Sequence, residues 1–318
     1  MTIRIKVAAV AAAVALGVVP FTASAQQFVN ILTGGTSGVY YPVGGALSKI
    51  FTDGIPDAKV QVQSTKASVE NLNLLQQGKG ELGIALGDSV KFAAEGNAEA
   101  GFPQPLDKLR GISAMYPNFI QIVASEESGI KTLDDLKGKK LSVGAPKSGT
   151  ELNARAILGA AGMSYEDLDK VEFLPFAESV ELMKNRQLDA TLQSAGLGVA
   201  SLKDLSTSIP ITVVSVPEEI ATELGAPYIA ETIPANTYDG QSEDVPTVAV
   251  INFLVSSDEV SDDLAYEMTK LMYENLDQLK AAHAATNAVD VQNALKGMPI
   301  PVHPGAQRYY DEVGVSAE

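Results

Sequence analysis

The chain has 318 residues, 46% of them hydrophobic, with 39 acidic against 23 basic side chains, a formal net charge of −16 and no cysteine. Such a negative surface argues against nucleic acid as a partner, and the lack of thiols excludes disulfides, thiolate metal sites and a cysteine nucleophile. The length exceeds one comfortable core and suits two domains.

The N-terminus carries Arg4 and Lys6, an apolar run from Val7 to Val19, and Ala23-Ser24-Ala25 before Gln26-Gln27. That order predicts a secretory signal peptide over 1–25, cleaved after Ala25, and a periplasmic mature protein. Cleavage removes 25 of 318 residues, leaving 293, and takes Arg4 and Lys6 with it, so the net charge becomes −18. No later stretch approaches the ~18 apolar residues of a membrane helix, so stable membrane insertion is not expected.

Strands and helices then alternate. Strands are predicted over Phe28–Thr33, Lys59–Gln63 and Leu82–Leu86, with helices over Tyr41–Phe51, Ser68–Gln77 and Ser89–Glu95. A long β-prone stretch, Ile112–Ser125, follows. A second set has a helical turn over Thr132–Leu136, strands over Leu141–Gly144, Val171–Phe176, Leu188–Leu192 and Ile211–Val216, and helices over Glu151–Ala161, Ser179–Arg186 and Pro217–Leu224. Ser164-Tyr165-Glu166-Asp167 reads as a capping box. Thr247–Val255 is a second long strand, followed by helices over Ser261–Ala281 and Val289–Leu295. Two long strands suggest two crossings at a hinge: a first lobe from 26–124 and 251–318, with a second lobe, 125–250, inserted between.

In open α/β sheets ligands bind beyond the carboxyl ends of strands, where free amides and the helix dipole favour anions. Three loops have that character: Thr33 to Tyr40, with Thr36, Ser37 and Gly38; Ser64-Thr65-Lys66-Ala67-Ser68, opening the helix that bears Asn71; and Ala145 to Thr150, with Lys147, Ser148 and Gly149. Each alone is explained by ordinary helix capping, worth ~1 kcal/mol. Three such loops, spread over both lobes, can share only an interlobe cleft. Lys66 and Lys147 each set a cation beside such a helix start, although a solvated lysine is the commoner case.

In sequence order, Thr33-Gly34-Gly35-Thr36-Ser37-Gly38-Val39-Tyr40-Tyr41-Pro42, Ser64-Thr65 with Ser68-Val69-Glu70-Asn71-Leu72, Gly83-Ile84-Ala85 before Asp88, Met115-Tyr116-Pro117, Ser128-Gly129-Ile130, Val143-Gly144-Ala145-Pro146 before Ser148-Gly149-Thr150, and Ile233-Pro234-Ala235 resemble the TAXI-type TRAP transporter solute receptors. The resemblance spans almost the whole mature chain. It implies an α/β fold of two lobes, the type II-like periplasmic binding-protein architecture, each lobe a mixed β-sheet flanked by helices with the ligand cleft between them. It further implies capture of a small anionic metabolite, a carboxylate, for a membrane permease driven by an ion gradient. Relatives take glutamate, glutamine or oxo-dicarboxylates. Carried over by position, the cleft is lined by Thr36, Ser37, Gly38, Tyr40, Ser64, Thr65, Ser68, Asn71, Asp88, Tyr116, Ser148, Gly149 and Thr150. The segment Gln193-Ser194-Ala195-Gly196 falls where the family is variable, and Ala67 belongs to the second loop. Lys66 and Lys147 stand where glycine or a small residue is expected, which suggests a C4–C5 dicarboxylate or oxo acid such as 2-oxoglutarate, with glutamate readmitted if Asp88 meets an ammonium.

No catalytic set or metal site can be assembled. His283 and His303 lie in the C-terminal part, away from the cleft loops and without metal-ligand spacing, and Gly144–Thr150 lacks the ending of a P-loop. The expectation is a monomeric receptor without cofactor. A sensory subunit for a receptor kinase, or an enzyme on a similar scaffold, would share these features.

Overall fold

The computed structural model describes residues 27–316, so the expected signal peptide lies outside the described residues. Strands β1 (Phe28–Leu32), β2 (Lys59–Gln63) and β3 (Leu82–Leu86) alternate with helices α1 (Tyr40–Gly54), α2 (Ser68–Gln76) and α3 (Gly87–Glu95), and β4 (Leu109–Ser125) follows. Next come β5 (Lys140–Ser142), α4 (Gly149–Ala160), β6 (Lys170–Glu172), α5 (Phe176–Lys184), β7 (Ala190–Ala195) and α6 (Ala200–Ser208). The chain then forms β8 (Ile211–Val214), α7 (Glu218–Leu224), β9 (Tyr228–Ile233), β10 (Val245–Ser257), α8 (Asp262–Glu274), α9 (Leu276–Ala282) and α10 (Pro304–Val313).

One mixed sheet runs in the order β2-β1-β3-β10-β4-β7-β5-β6, with β8 on β4 and β9 on β10. Its two long members belong to both lobes. Near one end, β10 pairs with β3 through Asn252–Val255 and with β4 through Ser257↔Leu109. Beyond the middle, β4 pairs with β7 and β8 through residues up to Ser125, and β10 pairs with β9 through Val245–Val250. The first lobe therefore gathers around β1–β3 and the second around β5–β9, joined by two antiparallel crossing strands. Fully buried β3, apolar on both faces, suits its interior place in the sheet, between parallel β1 and antiparallel β10.

Close packing explains several small residues. A Cβ on Gly44 would come within 2.5 Å of the Thr33 side chain, so glycine lets α1 lie directly on β1. An apolar cluster around Leu32, Leu72, Phe102 and Phe253 fills one face of the first lobe, and another around Ile120, Ile157, Leu192 and Val214 fills the second. A third, from Phe51 and Met268 to Met183 and Leu202, is continuous across the opposite face.

The structure corrects several sequence expectations. The Val171–Phe176 strand stops at Glu172, because Phe176 already opens α5. Gln193, Ser194 and Ala195 are strand rather than loop. The Ser261–Ala281 helix breaks at Asn275 into α8 and α9, and only a 3-10 turn, Val291–Asn293, occupies the expected Val289–Leu295 helix. Helices α6 and α10 and strand β9 were not foreseen.

Candidate ligand-binding site

Four helices begin around one cavity of about 340 Å³: α1 and α2 in the first lobe, α4 and α5 in the second. That volume fits a small metabolite. The first amides of a helix lack intrahelical acceptors, and the dipole gives them partial positive charge. Among these four, only α4 has a side-chain cap, the Ser148 hydroxyl, which accepts from the Glu151 amide at 3.1 Å. No side chain caps α1, which begins after Val39, α2, after Ala67, or α5, after Pro175. A bound anion would complete the ends of α1 and α5 and the remaining free amides of α2, whose Glu70 amide already meets the Lys147 carbonyl.

The backbone is forced into shape here. Ala67 and Lys147 hold positive φ, +73° and +64°, a region unfavourable to any residue with a Cβ. Around Ala67 the loop is braced by its neighbours. The Thr65 hydroxyl lies 2.8 Å from the Thr33 carbonyl and 2.6 Å from Asn71 Oδ1, and accepts from the Ala67 amide at 3.0 Å. Ser64 Oγ donates to the Gly34 carbonyl at 2.9 Å. The lobes touch at the rim, where the Glu70 amide donates to the Lys147 carbonyl at 3.2 Å.

Of the sequence-predicted residues, Thr36, Ser37, Gly38, Tyr40, Ser64, Thr65, Lys66, Ala67, Ser68, Ser148, Gly149, Thr150 and Ser194 lie on the cavity wall. The hydroxyls of Thr36, Ser37 and Thr150 make no hydrogen bond within the described residues. The Ser194 hydroxyl is buried without a partner. Thr36 is exposed and Ser37 partly so, whereas the Ser194 hydroxyl has no open surface.

Six expected residues lie off the wall. Asn71 is fully buried behind it, donating to the Thr33 and Ile84 carbonyls at 2.7 and 2.9 Å. Asp88 is buried against Tyr228 and Asn153. Tyr116 is fully buried, and burial pushes its phenol well above the ordinary range. Gln193 points away and accepts from the Ser201 hydroxyl at 2.6 Å. Gly196 faces Ala285, which a Cβ would meet at 2.6 Å. Lys147 is exposed and presents only its carbonyl to the first lobe, because the left-handed turn directs its side chain outside the lining.

Sequence reasoning missed Asn118 and the start of α5. Pro175, Phe176, Ala177 and Glu178 all line the cavity, and Glu178 sets a carboxylate there opposite in charge to Lys66. Pro175 followed by Glu178 in the first turn is a helix-start signal that the apolar run before it obscured. Asn118 is the middle of a chain through both crossing strands. It donates to the Ser194 carbonyl at 2.9 Å and accepts from Asn252 Nδ2 at 2.8 Å, while Asn252 Oδ1 accepts from the Tyr40 hydroxyl. Burial raises the Tyr40 phenol, so it remains a neutral donor.

His303 is buried beside the Val260 carbonyl and caps α10. His283 is not on the wall but lies against Gly198, nearer the second-lobe loop than its sequence position suggested. Among the described residues no group of three metal-binding side chains occurs, and no helix is long and apolar enough to cross a membrane.

The sequence profile of the NMT1-like family matches residues 31–314. Among solved structures, a protein of Bordetella bronchiseptica RB50 is 15% identical, with a TM-score of 0.57 over 91% of this chain and 98% of that one. A structure described as a periplasmic transporter is 10% identical, with a TM-score of 0.52 over 92% and 94%. The alkanesulfonate-binding protein SsuA from Xanthomonas axonopodis pv. citri, bound to MOPS, is 17% identical, with a TM-score of 0.49 over 91% and 80%. At these identities the likeness to the first two is one of fold alone.

Proposed function

From the premise that the chain belongs to the NMT1-like family, we propose that it is an exported solute receptor that closes on one small anion and hands it to a membrane permease. The observation that carries this reading is the convergence of four helix starts, three without side-chain caps, on a cavity walled by both lobes. Closure swings the lobes, 26–124 with 251–318 against 125–250, about β4 and β10. The ligand stabilises the closed form because only there does it touch both walls. No catalytic step enters this reading.

The chemistry of the wall narrows the ligand. Helix starts and Lys66 suit carboxylates. Glu178 suits an ammonium, and Phe176 and Tyr40 flank a short carbon chain. Lys147 lies off the wall, so the charge argument for a second lysine-bound carboxylate falls away. We therefore place glutamate ahead of 2-oxoglutarate. The resemblance to TAXI receptors supports a permease of the TRAP type.

Thermal-shift and calorimetric titration of the mature protein with L-glutamate, 2-oxoglutarate, succinate and taurine tests this. L-Glutamate should raise the melting temperature most. If none of the four binds, the anion-receptor reading fails for carboxylates and sulfonates alike.

A further inference from the structure

Asp88 was expected on the cavity wall and is instead 1% exposed outside it. Its Oδ1 accepts from the Ser89 amide at 2.7 Å, and its Oδ2 from the Tyr228 hydroxyl at 2.7 Å and Asn153 Nδ2 at 2.6 Å. No lysine, arginine or histidine appears among these partners. Ser89 belongs to α3 of the first lobe, whereas Asn153 is on α4 and Tyr228 on β9 of the second. We propose that Asp88, Asn153 and Tyr228 form a latch that holds the two lobes together in the closed receptor.

A buried carboxylate without a cation is costly unless fully hydrogen-bonded. Here three donors satisfy it, and charge-assisted bonds are the strong ones. Two of those donors leave with the second lobe, so partial opening would strand the carboxylate between states. The arrangement is favourable when shut, and favourable again when water reaches Asp88, with little between. The bonds are not needed to build either lobe, since each partner belongs to a complete sheet-and-helix unit of its own. Two weaker bridges run alongside: Arg155 Nη1 donates to the Glu99 carbonyl at 3.2 Å, and the Glu70 amide to the Lys147 carbonyl at 3.2 Å. The latch lies off the ligand wall, so it sets how long the lobes stay shut without choosing the ligand.

This inference rests on the receptor reading, and its test needs no ligand. The chain has no cysteine, so Glu99→Cys with Arg155→Cys places one reactive thiol on each side of the rim. A short bismaleimide joins them only when the lobes are shut, and its rate follows the closed population. In that background Tyr228→Phe and Asp88→Ala should each slow joining about tenfold, the loss expected for a bond to a charged group. The double variant should be no slower than Asp88→Ala. Unchanged melting of Tyr228→Phe shows that the fold is intact, and should Asp88→Ala fail to fold, Tyr228→Phe decides alone. An equal joining rate in the parent pair and the Tyr228→Phe variant would overturn the latch. Adding L-glutamate to the parent pair is a separate arm: acceleration supports the receptor reading, and its absence counts against that reading while leaving the ligand-free comparison valid.

Discussion

Lys147 holds φ at +64°, where a Cβ costs roughly 1 kcal/mol and only glycine is at ease. The sequence suggested that a small residue belongs there and that the lysine had been recruited for charge. The structure supports the first half only, since the side chain is exposed and off the cavity wall. Lys147→Gly should therefore raise stability by about 0.5–1 kcal/mol, read from urea unfolding, with ligand affinity unchanged. A tenfold loss of affinity would restore the lysine to the site. Ser64, Thr65 and Asn71 make the complementary point. Their motif identified the right loop, but Thr65 and Asn71 brace its backbone, so hydroxyl-rich sequence marked where the amides are held rather than which hydroxyls bind.

At the scale of elements, legibility followed pattern strength. Strands β2 and β3 were read to the residue, because alternation in one and an unbroken apolar run in the other end at clear turn signals. The two crossing strands were read from their length. Strand β9 escaped because four of its six residues, Ile229 to Thr232, are exposed, so its side chains show no alternation between a buried and an open face. Helix α5 was begun too late, which hid one of the converging helix starts. Helix starts also dictate residue size. Gly149, the first residue of α4, approaches the first lobe so closely that a Cβ would sit 2.6 Å from Leu86 Cδ1 and 2.7 Å from Ser68 Oγ. Its backbone is helical, so alanine suits the open form and even favours the helix. Gly149→Ala should leave the ligand-free protein folded, with a cooperative urea transition. It should weaken L-glutamate binding at least about tenfold, since about 1.4 kcal/mol of lost closure suffices. Undiminished affinity would show that the lobes need not approach this closely.

For the whole molecule, folding moves Asp88 from water into a site where no cation meets it, and that couples stability to protons. Burial, the largest cause, raises its carboxyl above the ordinary 3.8, against the opposing effects of hydrogen bonds from Tyr228, Ser89 and Asn153. The other titratable groups facing it, Tyr228 of β9 and Tyr40 of α1, are phenols raised by burial and stay neutral in acid. A raised acid stabilises the native state fully below 3.8, and that contribution is lost as pH rises through the higher native value. A protonated Asp88 also finds an acceptor close by. Asn153 Oδ1 is buried without a partner and reaches the carboxyl if its amide flips. Wild type should thus gain stability relative to Asp88→Asn, which cannot ionise, as pH falls from neutral, about 7, to the ordinary value of 3.8. Paired urea midpoints at the two pH values measure this directly. A gap between the two proteins that does not change with pH would mean that Asp88 keeps an ordinary acidity in the native protein.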